Sequence, residues 1–140
     1  MSQMTDYLEG VLLGHLFRTA TFAKPTVIAI GLCTAAPTDA STGATITEVP
    51  NSGSYARVSV PPLDANWAAV GVGGLTSNVA AITFPTASGS WGTVTHVAFL
   101  DSLTWGAGNL WLYGTLALSK TVNSGDTFSF AINQLTVTFA

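Results

Sequence analysis

Strand-like segments follow one another from Thr26 to the C-terminus without an intervening helix. Each is rich in β-branched or aromatic residues and is bounded by Gly, Pro, Asn, Asp or Ser, which is typical of strands joined by turns. The predicted strands are residues 26–34, 55–60, 78–84, 93–101, 109–118, 127–133 and 135–139. A βαβ fold is excluded because its parallel strands need crossover helices. The pattern predicts an all-β (mainly) chain that forms one antiparallel β-sandwich domain over residues 1–140, of jelly-roll or immunoglobulin-like type.

One short N-terminal α-helix is predicted before the strands, over about residues 4–17. Asp6 is placed to cap this helix, and Glu9 follows three residues later as in a capping box. An apolar stripe recurs at helical spacing through Leu8, Val11, Leu12, His15 and Leu16. The stripe either closes one end of the domain's own sandwich or docks on a neighbouring subunit. The candidate partner-interface residues on the helix are Leu8, Leu12, Leu16 and Phe17.

Two intervals lack strand character and are predicted to be long loops, residues 35–54 and 61–74. Both contain several Pro and Gly residues among small or polar ones. Loops longer than about a dozen residues in a compact domain are usually functional or disordered. These loops are therefore either simple surface excursions or segments ordered by contact with another subunit. Trp67, in the second loop, is a further candidate partner-interface residue.

Charged residues are scarce in this chain. Asp, Glu, Lys and Arg make up 8% of the 140 residues, against roughly a quarter in an average globular domain. Few charges keep copies of the chain apart, which favours a protein that lives among copies of itself or other partners, as a homo-oligomer. The net charge is −3 and the 4 basic residues are scattered, so no nucleic-acid partner is expected.

No apolar stretch approaches the roughly 18–20 residues needed to span a bilayer, so no membrane partner is expected. The apolar run Gly10-Val11-Leu12-Leu13-Gly14 is preceded by Asp6 and Glu9, where a signal peptide carries basic residues. The sequence therefore predicts no secretion signal, and we expect the protein to be made and assembled in a bacterial or viral-host cytoplasm.

The residue types that carry catalysis or bind metals do not cluster. Cys33 is the single cysteine and lies in an apolar run, which predicts a buried thiol and excludes an intrachain disulfide. The acidic residues are widely spaced and mostly mark turns. His96 and Asp101 are an odd number of residues apart, so they point to opposite faces of a regular strand. The sequence predicts a non-enzymatic protein without catalytic residues, a metal site or a cofactor.

Several motifs resemble those of a known family. The first half of the chain contains Asp6-Tyr7-Leu8-Glu9, His15-Leu16-Phe17, Ile30-Gly31-Leu32, Pro37-Thr38-Asp39, Glu48 and Tyr55-Ala56-Arg57-Val58. The second half contains Asn66-Trp67, Asn78, Ala80-Ala81-Ile82-Thr83-Phe84-Pro85, Trp91-Gly92-Thr93-Val94-Thr95-His96, Asp101, Gly108-Asn109-Leu110 and Lys120-Thr121-Val122-Asn123-Ser124-Gly125-Asp126. With these motifs, nearly the whole chain is similar to small tailed-bacteriophage proteins known as phage tail fibre or tail proteins. The resemblance implies a structural protein located in the virion, with other virion proteins as its partners and no catalytic residues.

The segment Leu103-Thr104-Trp105-Gly106 departs from the family, in which a more polar turn is expected. We interpret this apolar tip as a contact specific to this virion. It adds Leu103 and Trp105 to the candidate partner-interface residues.

The place of the protein in the particle stays open at this point. The chain contains neither heptads nor repeated β-helical segments, with which a fibre shaft gains length. A compact module of this kind caps or connects a tail appendage, or alternatively stabilises the head lattice as a capsid cement protein. A further hypothesis, from a different class, is a module that binds host glycans through Trp67 or Trp105.

Overall fold

The computed structural model describes residues 2–139. Within that range it contains one helix and nine strands. In chain order the elements are β1 (Ser2–Met4), α1 (Asp6–Phe17), β2 (Ala29–Cys33), β3 (Val58–Ser59), β4 (Leu75–Ser77), β5 (Ile82–Thr83), β6 (Gly92–Leu100), β7 (Leu110–Val122), β8 (Ser129–Phe130) and β9 (Thr136–Thr138). No helix in this part of the chain has the length and apolar character needed to cross a membrane.

The strands form three antiparallel sheets. The largest has five strands in the order β1-β7-β6-β2-β3, while β4 pairs with β9 and β5 pairs with β8. Both small sheets share one apolar cluster with the large sheet, which gives a sandwich-like arrangement. The prediction of a mainly β chain with antiparallel sheets and one short helix is confirmed.

Strand β2 shows how the large sheet is buried on both faces. All five of its residues are buried, and the four that have a side chain divide between two apolar clusters. Ile30 and Leu32 belong to the cluster shared with the small sheets. Ala29 and Cys33 belong to the other cluster, against which Ile46 of the loop 35–54 packs. Burial on both faces explains why the sequence of this strand is continuously apolar.

The sequence does not predict β1 or β4. Each has three residues, too few for an alternating pattern to be visible. Gln3 of β1 lies opposite Tyr113 of β7, and β4 pairs with β9 at the far end of the chain. Such short strands are defined by distant partners, so their local sequence carries little signal.

Helix α1 begins at Asp6 rather than at residue 4, because Met4 belongs to β1 and lies opposite Leu112. The prediction that Asp6 caps the helix is wrong, since Thr5 is the N-cap. The Thr5 hydroxyl accepts a hydrogen bond from the Leu8 amide at 3.4 Å and donates to a carbonyl of β7. Both residues are good caps by type, and the pairing of β1 decides between them.

Strand β7 is longer than the segment of it that β1 covers, which ends at Gly114. Its pairing with β6 shifts register, because Val94 lies opposite Lys120 while His96 lies opposite Thr115. Residues 116–119 therefore form a bulge, and Leu118 within it is 84% exposed.

Candidate functional site

Among the exposed large apolar side chains of this sparsely charged chain, three groups include or adjoin the candidate partner-interface residues. They lie at the C-terminal end of α1, at the mouth of a cavity beside Trp67, and in the loop between β6 and β7. The structure divides the seven candidate partner-interface residues among these three places and the core.

Helix α1 packs against the core through Leu8, Val11 and Leu12. Leu8 lies in the core of its own chain and Leu12 is partly buried against it. In contrast, Leu13, Leu16 and Phe17 are 57%, 69% and 79% exposed. Their spacing of three and four residues places these side chains on one side of the helix. We call them the helix end, and Leu13 is the member that the candidate partner-interface residues leave out.

An apolar cavity of about 620 Å³ opens between the large sheet and the loop 61–74. This volume lies in the range of roughly 300–1,000 Å³ that is usual for ligand pockets. Its walls include Ile28, Phe99 and Val137, and Asp64 is the one charged residue among the described residues that line it. An occupant of this cavity would therefore be apolar.

Trp67 forms one wall of the cavity. Its ring lies against Phe99 with the centroids 6.3 Å apart, and its indole N–H donates to the Val60 carbonyl at 3.4 Å. Leu63 and Val70 also line the cavity and are exposed, so they form its mouth. Trp67 is thus a wall residue fixed by its own chain, with exposed neighbours on the same loop.

Trp111, on β7, contributes a second aromatic wall. Its buried indole N–H has no hydrogen-bond partner among residues 2–139. A buried donor without a partner costs about 1–3 kcal/mol. Phe22 packs edge-on against the ring, with the centroids 6.4 Å apart. Among the described residues that line the cavity, Trp111 is the one whose buried polar group lacks a hydrogen-bond partner in the isolated chain.

The β6–β7 loop tip contains Leu103 and Trp105, which are 46% and 44% exposed. The indole N–H of Trp105 donates to the Val49 carbonyl at 2.9 Å. The polar edge of the ring is therefore bound within the chain, and about half of the side chain remains available as an apolar contact held in a fixed orientation.

A buried ion pair lies behind this tip. The side chains of Arg57 and Glu48 are 0% and 2% exposed, and two contacts of 2.7 Å and 2.8 Å join them. Arg57 also donates to the carbonyls of Ser102 and Ala107 at 2.7 Å and 2.8 Å. A paired and fully hydrogen-bonded charge is the form in which a guanidinium tolerates burial. Arg57 thereby ties the β6–β7 loop to the loop 35–54.

Tyr55 extends this network into the large sheet. Its hydroxyl donates to Glu48 Oε1 at 2.8 Å and accepts from the Leu32 amide at 2.9 Å. Burial, and secondly the nearby Glu48 carboxylate, raise the pKa of Tyr55 far above its ordinary value. The same two causes raise the pKa of the Cys33 thiol to about 12. Both groups therefore stay neutral beside the ion pair.

Asp39 ties the loop 35–54 to the start of the helix. Its carboxylate accepts from the Tyr113 hydroxyl at 2.6 Å, and its carbonyl accepts from the Asp6 amide at 3.0 Å. The hydrogen bond to Asp39, followed by burial, raises the pKa of Tyr113 to about 12. Contacts within the chain thus order a loop that the sequence alone left between a free excursion and a segment ordered by a partner.

No curated protein matches the chain. A family model described as podophage GP4 fiber I protein gp80 matches residues 3–138. The chain belongs to the gp80 fibre family. This confirms the resemblance to phage tail fibre proteins, and the matched residues include the helix end, the cavity and the loop tip.

As a member of the gp80 fibre family, the protein is a structural component of a phage virion and contacts other virion proteins.

The polar residues considered for catalysis bind to neighbouring groups of their own chain. The ring nitrogens of His96 lie 2.8 Å from the Thr95 hydroxyl and 3.2 Å from the Thr115 hydroxyl, and burial lowers the pKa of His96. The Asp101 carboxylate accepts from the amide and the side chain of Asn109 at 2.7 Å and 2.8 Å. Over residues 2–139, no three His, Cys, Asp or Glu residues are grouped so that they hold a metal ion. These polar groups stabilise strands and turns.

Proposed function

We propose that this protein is a non-enzymatic structural module of a phage fibre, and that it acts by binding other virion proteins and copies of itself. The family match over residues 3–138 is the observation that carries the proposal. A module without heptads or β-helical repeats does not add length to a shaft. We therefore assign it to a junction or a cap of the fibre.

The surface chemistry supports an assembly role. Interface centres are depleted of charged residues, and a few aromatic or large apolar anchors supply most of the binding free energy. Only 8% of this chain is charged, while Phe17 and Trp105 are exposed aromatic residues. Burial of such side chains contributes roughly 25 cal/mol per Å² of apolar area. Symmetric repetition of modest contacts then stabilises an assembly.

The loop tip is ordered before any partner arrives. The Arg57–Glu48 pair holds the loop from both sides, and Trp105 is bound to Val49. Binding by a preordered loop avoids part of the conformational entropy that a flexible loop loses. This supports a contact role for Leu103 and Trp105.

The two alternatives from the sequence gain no support of their own. A sparsely charged surface suits a capsid cement protein and a fibre module equally, so it does not favour the cement role. A glycan-binding role would stack a sugar on Trp67 or Trp105, but Trp67 is partly buried as a wall of the cavity and does not form an exposed platform. The cavity beside Trp67 is also mainly apolar, which suits a hydrophobic occupant better than a sugar.

Counting and locating the protein in purified virions tests the proposal. We expect quantitative mass spectrometry to find from a few to a few dozen copies per particle, and gold labelling of a tagged copy to mark the fibres. Hundreds of copies with label on the head contradict the fibre role and favour cement. Absence from virions contradicts any structural role in the particle.

A pair of surface variants tests the contact role of the loop tip. Trp105→Ser should lower incorporation into virions, whereas Leu118→Ser, a matched loss of an exposed apolar side chain on the β7 bulge, should leave it unchanged. Normal incorporation of Trp105→Ser removes the loop tip from the proposed interface.

A further inference from the structure

The helix end and the apolar cavity are chemically complementary surfaces of one chain. Three large apolar side chains stand on one side of α1 and are mostly exposed, so they do not occupy their own chain's cavity. The cavity has aromatic and aliphatic walls and an exposed apolar mouth. Three anchors with the spacing of Leu13, Leu16 and Phe17 are the usual way in which a helix binds an apolar groove.

The charges beside the two surfaces are opposite. Arg18 follows Phe17 directly and is exposed, while Asp64 is exposed and is the charged residue among the described cavity lining. Opposite charges at the rim of an interface mainly select the partner and fix its register. The chain has 4 basic residues in total, and one of them lies next to the helix end.

We propose that the cavity of one copy receives the helix end of a second copy, with Arg18 of the helix meeting Asp64 at the rim. The inference rests on the proposed assembly role and names the partner as another copy of this chain. The two surfaces differ, so the contact is head-to-tail. Such contacts either close into a ring or extend as an open chain.

Sedimentation equilibrium over a concentration series tests the contact. We expect the wild type to self-associate and Phe17→Ser to weaken association about 10- to 100-fold, as full burial of one large apolar side chain implies. Leu118→Ser is the matched control and should associate like the wild type. A wild type that stays monomeric at every concentration, or a Phe17→Ser variant that associates normally, overturns the proposal.

Complementary variants test the head-to-tail geometry. Phe17→Ser keeps an intact cavity, and Val70→Asp keeps an intact helix end but places a charge at the cavity mouth. At a concentration where the wild type associates, each variant alone should be mainly monomeric because its association is weakened, while their equimolar mixture should form 1:1 dimers through the single remaining contact. Both positions are exposed, and circular dichroism checks that the variants fold. A mixture that stays monomeric contradicts the head-to-tail contact.

A charge exchange tests the register. Arg18→Glu should weaken association a few-fold at low salt, and adding Asp64→Lys to the same chain should restore it. A double variant that associates as weakly as Arg18→Glu contradicts the pairing at the rim.

The location of the protein separates this inference from the proposed function. A protein that labels the fibres but does not self-associate overturns the cavity contact alone. Absence of the protein from virions overturns the fibre role, whatever its association in solution.

Discussion

Replacement of Glu48 by glutamine tests how strongly the buried ion pair holds the two loops behind Trp105. The substitution removes one charge and nearly preserves the shape of the side chain. Arg57, whose side chain is 0% exposed, then keeps its own charge without a counter-charge. Both Glu48 oxygens accept hydrogen bonds, so the new amide group must face the guanidinium or Tyr55 with a donor.

The expected cost follows from these contacts. Breaking a buried ion pair from one side costs about 3–5 kcal/mol, because the remaining charge stays desolvated. The lower end of this range applies here, since the Ser102 and Ala107 carbonyls continue to accept from Arg57. We therefore expect Glu48→Gln to lower the free energy of unfolding by about 3 kcal/mol. For a chain of this size that is a fall in Tm of about 10 °C.

Urea unfolding followed by tryptophan fluorescence measures this loss. A double-mutant cycle with Arg57→Met should give a coupling of about 2 kcal/mol, because the double variant no longer buries an unpaired charge. Lys24→Gln, at an exposed position, is the control and should change stability by less than about 0.5 kcal/mol. A loss below about 1 kcal/mol for Glu48→Gln, or additive single losses, refutes the view that this pair fixes the loops.

Three further predictions concern stability. Thr5→Ala should lower the free energy of unfolding by about 1–2 kcal/mol and Asp6→Ala by about 0.5 kcal/mol; urea unfolding giving the reverse order contradicts the assigned cap. Gly43→Ala should cost more than about 2 kcal/mol, because its Cβ would clash with the facing backbone of the β6–β7 loop. Gly10→Ala, which has open space in α1, should stabilise by about 0.5–1 kcal/mol in the same assay. Burial, and secondly Glu48, raise the pKa of the Cys33 thiol from its ordinary 9.0 to about 12. The folded chain therefore keeps this proton at a pH where the unfolded chain has lost it, and stability should fall as pH rises above 9. The free energy of unfolding should fall with a slope that reaches about 1.4 kcal/mol per pH unit. If Cys33→Ala shows the same fall in this free energy between pH 9 and 10 as the wild type, the prediction is contradicted.

The sequence predicts the class of the fold well because the long strands carry their own signal. β6 and β7 are rich in apolar and β-branched residues, and both appear close to the predicted positions. Three predicted strands shrink to the two-residue β3, β5 and β8. Asn78 shows one reason, since its buried side chain binds Ala131 and Leu135 in place of regular strand pairing. Side-chain bonds of this kind depend on the tertiary fold.

The candidate site is harder to predict from the sequence. Periodicity identifies an apolar side of α1 but not the residue at which its packing ends, so the buried Leu8 and the exposed Leu16 look alike until the sheet is placed. The cavity joins residues from β6, β7, β9 and the loop 61–74, which only the fold brings together. The Glu48–Arg57 pair is likewise invisible locally, although a charged Arg57 between Ala56 and Val58 in a predicted strand is a signal that it needs a buried partner.

The position of β1 has a consequence for the order of events during synthesis. Ser2 lies opposite Gly114 and exchanges two hydrogen bonds of 3.0 Å with Thr138. Contacts so distant in sequence form late, because the chain must first lose the entropy of closing a long loop. Helix α1, capped by Thr5 against β7, is therefore set in place only when nearly the whole chain has left the ribosome. Growing chains on one messenger RNA thus lack a positioned helix, and the contact that we propose between copies requires finished modules.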